Sequence, residues 1–140
     1  MKTTKRILLI EDDIDDQLFF RWAIEAIDPK AECVIAKNGT DAMQKLIAMK
    51  MPPSWIFLDL NMPLMNGFEC LRKIREKKLD SDIPVIILST SGNMKDIAKA
   101  KEHGAAGYLK KPNNTNSLVK ALEEIFSIDF NKTENYFVLY

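Results

Sequence analysis

The 140-residue chain predicts a single α/β domain built on a doubly wound, five-stranded parallel sheet. Two observations carry that reading. Short apolar runs alternate with segments of helical period, five of each, which is the order of a parallel sheet covered by helices. The runs Ile7-Leu8-Leu9-Ile10, Trp55-Ile56-Phe57-Leu58 and Val85-Ile86-Ile87-Leu88 are also apolar without interruption. Strands buried on both faces read that way, whereas half-exposed strands alternate.

Taken in order, strands are predicted at 6–10, 32–36, 55–60, 84–89 and 106–110. The first helix covers 15–27, with Leu18, Trp22 and Ala26 beside Phe19, Ala23 and Ile27 as its apolar stripe. Asp15 and Asp16 fall in its first turn, where carboxylates favour the positive helix end. A second helix carries Ala42, Met43, Leu46 and Ile47 behind a Thr40-Asp41 cap. A third follows Asn66-Gly67 with Phe68, Leu71 and Ile74. The fourth, 94–103, has only Ile97, Ala98 and Ala100 as apolar members, and His103-Gly104 suits its C-terminal cap. The fifth starts near Thr115 or Asn116 and carries Leu118, Val119, Leu122, Ile125 and Phe126. Right-handed crossovers place helices on both faces of the sheet. Residues 129–140 remain, ending in Tyr136-Phe137-Val138-Leu139-Tyr140, too apolar for a typical disordered tail. The tail either folds back onto its own domain or docks on a partner or second subunit.

Bulk composition narrows the function classes. Twenty basic residues balance twenty acidic ones, so no whole-protein field for nucleic acid or an anionic membrane is expected. No apolar run reaches the roughly 20 residues of a membrane helix. The polar start, Met1 to Arg6, leads straight into a strand and gives no secretory signal, so a cytoplasmic protein is expected. Cys33 and Cys70 lack metal or redox spacing and read as free buried thiols. No glycine-rich phosphate loop or GxGxxG occurs, so nucleotide binding has no support.

The chemistry lies at four strand ends. The first ends in Glu11-Asp12, the third in Asp59, the fourth in Ser89, and the fifth runs to Lys111 before Pro112. Ligands of open parallel sheets collect at the carboxyl ends of the strands. Three carboxylates gathered there raise one another's pKa unless a cation compensates. Magnesium, a hard ion with oxygen ligands, suits the set, and manganese is a substitute. Asp12 and Asp59 would ligate directly, the Asn61 backbone carbonyl would be a third ligand, and Glu11 would reach the ion through water. A carboxylate nucleophile can accept a phosphoryl group as an acyl phosphate. Lys111 would neutralise charge on that group and Ser89 would donate a hydrogen bond to it. The residue before proline is held extended, which fixes Lys111 at the strand end.

These pieces together resemble the receiver domain of bacterial two-component response regulators, from about Lys5 to Ser127. The resemblance rests on Ile7 through Asp12, Leu58 through Pro63 with Asn66-Gly67, Pro84 through Ser89, and Gly104 through Pro112. It implies a flavodoxin-like (βα)5 fold with strand order 2-1-3-4-5, a receiver over 1–128, and a C-terminal extension over 129–140 with no separate output domain. It implies Asp59 as phosphoacceptor, Glu11 and Asp12 as magnesium acids, and Ser89 and Lys111 as contacts of the phosphoryl group. Tyr108 matches the aromatic that turns inward when the hydroxyl residue moves, so Ser89 and Tyr108 form the switch. The donor would be a histidine kinase or histidine phosphotransfer protein. Output to a downstream protein, or to a second copy in a homodimer, would pass through the face of the fourth helix, fifth strand and fifth helix. Within the family the chain is most similar to single-domain, phytochrome-associated regulators. It departs in having Ser89 where threonine is commoner, Thr90 where a small residue is usual, and Asn113 in place of an aromatic. The expected role is a phosphoacceptor signalling domain, not an enzyme with turnover. Two other readings stay open: a pseudo-receiver that binds partners without phosphorylation, and an aspartate-nucleophile phosphatase. In the phosphatase the nucleophile normally ends the first strand; here the best-placed aspartate ends the third.

Overall fold

The computed structural model describes residues 5–62, 67–76, 83–128 and 138–139. Five strands, β1 (Arg6–Ile10), β2 (Glu32–Ala36), β3 (Trp55–Asp59), β4 (Val85–Ser89) and β5 (Gly107–Lys110), alternate with five helices. The helices are α1 (Ile14–Ile27), α2 (Gly39–Ala48), α3 (Gly67–Glu76), α4 (Met94–Glu102) and α5 (Thr115–Phe126). All strand pairs are parallel and the expected order 2-1-3-4-5 is present. A sixth strand extends it: β6 (Val138–Leu139) pairs with β5, with Val138 opposite Gly107 and Leu139 opposite Tyr108. The end of the tail therefore folds back onto its own domain. Tyr136, Phe137 and Tyr140 lie outside the described residues, as do Pro63, Asn66 and Met1 to Thr4.

Alternation along each strand sorts the core into two halves. Ile7, Leu9, Trp55, Phe57, Ile86, Leu88 and Leu109 pack against α1 and α5. Leu8, Ile10, Ile56, Leu58, Val85, Ile87 and Tyr108 pack on the opposite side with α2 and α3. Strand ends differ slightly from expectation. Leu60 and Ala106 still donate to the Leu88 and Val85 carbonyls, so the ladder runs one residue beyond β3 and starts one before β5.

Two helix expectations need correction. On α1 the buried face is Phe20, Ala23 and Ile24, flanked by half-buried Phe19 and Ile27. Leu18 and Trp22 of the expected stripe are 43% and 60% exposed, and Ala26 is also exposed. Apolar residues nearly encircle this helix, and packing on α5 and the sheet selects the row through Phe20 and Ile24. The α2 cap is Asn38, whose side chain accepts from the Asp41 amide at 2.8 Å, while Asp41 accepts from the Lys37 amide at 3.0 Å. Asn38 thus caps the helix while Asp41 reaches back past it to the Lys37 amide, which places Thr40-Asp41 inside the first turn. At the other end of α4, His103 is the C-cap as expected, its Nδ1 2.9 Å from the Lys99 carbonyl. Gly104 follows with φ +90°, the left-handed conformation glycine adopts freely. No helix among the described residues is long and apolar enough to cross a membrane.

Candidate functional site

The strand ends converge on one acidic cleft. Glu11 extends β1 by donating its amide to the Ala36 carbonyl at 2.9 Å. Strand alternation then puts Glu11 on the side of Ile7 and Leu9, Asp59 on the side of Trp55 and Phe57, and Lys111 on the side of Leu109. All three continue rows that face α1 and α5. Ser89 and Tyr108 continue the rows that face the opposite side. The site thus has two parts, separated by the pleat of the sheet.

In the first part Glu11 and Asp59 are buried, at 1% and 2% exposure, while Asp12 is exposed. One ligand atom from each of the three carboxylates lies within 4.8 Å of the others. Burial, then a hydrogen bond with Asp59, pushes the Glu11 carboxyl up to about 8 against the pull of Lys111. Lys111 Nζ contacts Glu11 Oε1 at 2.9 Å, Asp16 Oδ2 at 3.0 Å and Asp59 Oδ1 at 3.3 Å. Burial alone disfavours its ammonium, but the hydrogen bond and charge of Glu11, with Asp59 and Asp16, outweigh burial and raise its pKa. One ammonium does not balance these acids. The donor set is all oxygen, crowded and excess in negative charge, which fits a hard divalent cation held by Glu11, Asp12 and Asp59.

The loops around Asp59 are fixed locally. The Asn61 amide donates to Asp59 Oδ1 at 3.3 Å, while the Asn61 side is exposed and Met62 is buried beside it. Gly67 opens α3 against the end of β3, its amide donating to the Leu60 carbonyl at 2.9 Å. A Cβ there would lie 2.7 Å from Leu60 Cα and 2.8 Å from the Asp59 carbonyl oxygen. Only glycine allows that approach of helix to strand.

In the second part Ser89 is fully buried. Its Oγ accepts from the Ser91 amide at 3.1 Å, and its carbonyl accepts the Lys111 amide at 2.7 Å. The latter bond ties the ends of β4 and β5. Tyr108 points inward, with its hydroxyl donating to the Ser91 carbonyl at 2.6 Å. Burial raises the phenol pKa and a hydrogen bond with Ser89 offsets part of that rise. Thr90, by contrast, is exposed.

The structure thus brings the expected residues Glu11, Asp12, Asp59 and Lys111 together, and joins Ser89 to Tyr108 on the neighbouring strand. Three further residues at the site are not among those expected. Asp13 is the α1 cap, accepting from the Asp15 and Asp16 amides. Asp16, expected to serve the helix end alone, pairs with Lys111. Gln17 Nε2 donates to the Glu11 carbonyl at 2.7 Å, bracing the strand tip.

Comparison with known proteins agrees with this geometry. The family model described as "Response regulator receiver domain" matches residues 7–123. The chemotaxis protein CheY of Thermotoga maritima is 30% identical over 124 residues, covering 86% of this chain and 97% of that one. The phosphorylated cyanobacterial phytochrome response regulator RcpA superposes with a TM-score of 0.81 at 29% identity, covering 94% of this chain and 97% of its own. The Mn(2+)-bound form of response regulator Rcp1 gives a TM-score of 0.75 at 32% identity, covering 89% and 93% of the two chains. The chain spans about half the length of other curated relatives: 54% of the probable transcriptional regulator ycf29 of Pyropia yezoensis, 35% identical, and 51% of the nitrate/nitrite response regulator protein NarL of Escherichia coli, 36% identical.

Proposed function

The chain belongs to the response regulator receiver domain family, and we propose that it is a phosphoacceptor switch of a two-component phosphorelay. A histidine kinase or histidine phosphotransfer protein would supply the phosphoryl group to Asp59. The observation that carries this reading is the position of Asp59. It is a buried carboxylate at a strand end, with two further acids within 4.8 Å and an ammonium 3.3 Å away.

In the reaction an Asp59 carboxylate oxygen forms the bond to phosphorus as the bond to the donor's leaving atom breaks, and the leaving group departs with the electron pair. Lys111 is placed to hold charge on the transferring oxygens. Glu11 and Asp12, with Asp59 and the Asn61 carbonyl, would hold magnesium. When bound, the ion supplies the positive charge that lets a dianion approach this acidic cleft. Signalling would start at Ser89, whose Oγ is joined to the Ser91 amide and the Tyr108 phenol. Drawing that hydroxyl toward a new phosphoryl oxygen exchanges one set of contacts for another, and such differential contacts shift a population. The segment after Ser89 leads into α4, which buries only Ala100 fully. An element with so little buried surface yields at low cost, which supports the α4–β5–α5 face as the output surface. A downstream protein or a second copy of the chain would read that face.

Intact mass after incubation with magnesium and acetyl phosphate tests the proposal. One phosphoryl adduct, cleaved by hydroxylamine and absent from Asp59→Asn, is expected. A folded wild-type protein that takes no adduct from acetyl phosphate or from phosphorylated histidine donors would sink it.

A further inference from the structure

The Lys111 side chain is partly buried. Its flexible stem borders a cavity of about 360 Å³ between the sheet, α1 and the start of α5, walled by Leu9, Phe20, Leu88 and Leu118. What locates the ammonium is its three acidic contacts. A lysine has three N–H donors, and Glu11 and Asp16 take two of them at 2.9 and 3.0 Å. The remaining, longest contact is the one to Asp59 at 3.3 Å. Glu11 and Asp16 sit on different elements, a strand tip and a helix, so together they fix a direction that neither fixes alone. Asp16 is itself held, its amide donating to Asp13 Oδ1 at 3.1 Å in the first turn of α1. Its side chain lines the same cavity as the lysine.

Resting on the phosphoacceptor reading, we infer that Asp16 is a positioning residue that anchors the Lys111 ammonium from α1 and aims its third N–H at the phosphoryl group on Asp59. It touches neither the phosphoryl group nor the phosphoacceptor and acts through Lys111. On transfer, the two short contacts persist, and the long one passes from Asp59 to a phosphoryl oxygen. A carboxylate serving only the helix end would have no such dependence on the lysine.

The test is a double-mutant cycle on acetyl phosphate kinetics, read by intact mass across donor concentrations in wild type, Asp16→Ala, Lys111→Met and the double variant. Asp16→Ala should lower the saturating rate about tenfold, as loss of alignment does, with the half-saturating donor concentration little changed. Asp16→Asn, which keeps an acceptor oxygen, should lose less. In the Lys111→Met background Asp16→Ala should have no further effect. An unchanged rate in Asp16→Ala, or an equal loss in both backgrounds, overturns the inference. Should the lysine variants react too slowly to time, proton–nitrogen NMR of the Lys111 ammonium decides. An ordered signal in wild type should vanish in Asp16→Ala, and its persistence overturns the inference. Failure of the underlying reading looks different: wild type takes no adduct, or Asp59→Asn still takes one. The NMR measurement then still shows whether Asp16 holds Lys111.

Discussion

Magnesium binding to the cleft should be steeply dependent on pH below about 8, and Glu11 sets the slope. Its carboxyl is buried and hydrogen-bonded to Asp59, which pushes it up to about 8. In the metal-free protein at neutral pH Glu11 therefore retains a proton. A divalent cation among Glu11, Asp12 and Asp59 requires the carboxylates ionised, so each ion bound below that pH releases close to one proton. The apparent Kd then scales as one plus ten to the power of the pKa minus pH. It should tighten about 50-fold from pH 6 to pH 8 and level off above that. Glu11→Gln has no proton to release and should bind more weakly with a flat profile. Titration calorimetry in two buffers of different ionisation enthalpy counts the protons directly. A wild-type Kd independent of pH between 6 and 8, with no proton released, refutes the reasoning. The same proton affects folding. The native state keeps it from about 4.5 up to about 8, whereas the unfolded chain has lost it. This contribution to stability is fully present below about 4.5 and is lost as pH rises through about 8. Saturating magnesium should remove that decline.

Three substitutions probe other links. Gly67→Ala places a methyl against Leu60 and the Asp59 carbonyl; it should cost about 1–3 kcal/mol in urea denaturation and slow phosphorylation of Asp59. Asn38→Ala removes the α2 cap, a side chain bonded to the Asp41 amide and to none of the cleft acids; it should cost about 1 kcal/mol while leaving the phosphorylation rate unchanged. Tyr108→Phe loses the hydroxyl that donates to Ser91; it should cost about 1 kcal/mol, keep the acetyl phosphate adduct, and weaken the chemical-shift response of α4 to phosphorylation.

Much of the site was legible because strand ends are where local sequence and tertiary position coincide. A continuous apolar run buried on both faces announces a parallel strand, and its last residue must then sit at the carboxyl edge. That logic places Glu11, Asp59, Ser89 and Lys111 without any knowledge of packing. It fails where two solutions satisfy the same pattern. On α1, Leu18, Trp22 and Ala26 form as good a row as Phe20, Ala23 and Ile24, and only contact with α5 and the sheet chooses between them. Caps fail for a related reason. Asn38 and Thr40 are both good capping residues, and the choice rests on where the backbone leaves β2. Asp16 was underestimated because its partner is remote in sequence, at Lys111, and a first-turn acid already has a sufficient local explanation. The pairing of residues 138–139 with β5 depends on a return of the chain that no periodicity encodes.

That return alters which margins of the sheet are open to other chains. β5 carries Tyr108 and Leu109 on its two sides and leads directly into Lys111. Left as a margin, it would expose unpaired amides and carbonyls, the template on which foreign strands add. With Val138 and Leu139 laid along Gly107 and Tyr108, that half of β5 becomes interior, and the margin beside it is a strand of two residues. So short a strand offers little for a ribbon to extend. A second molecule seeking this flank by strand addition would first have to peel the tail away. Partners that leave the tail in place must engage helices instead, and the register of β5, which sets Tyr108 and Lys111 apart, is shielded from slippage at the same time.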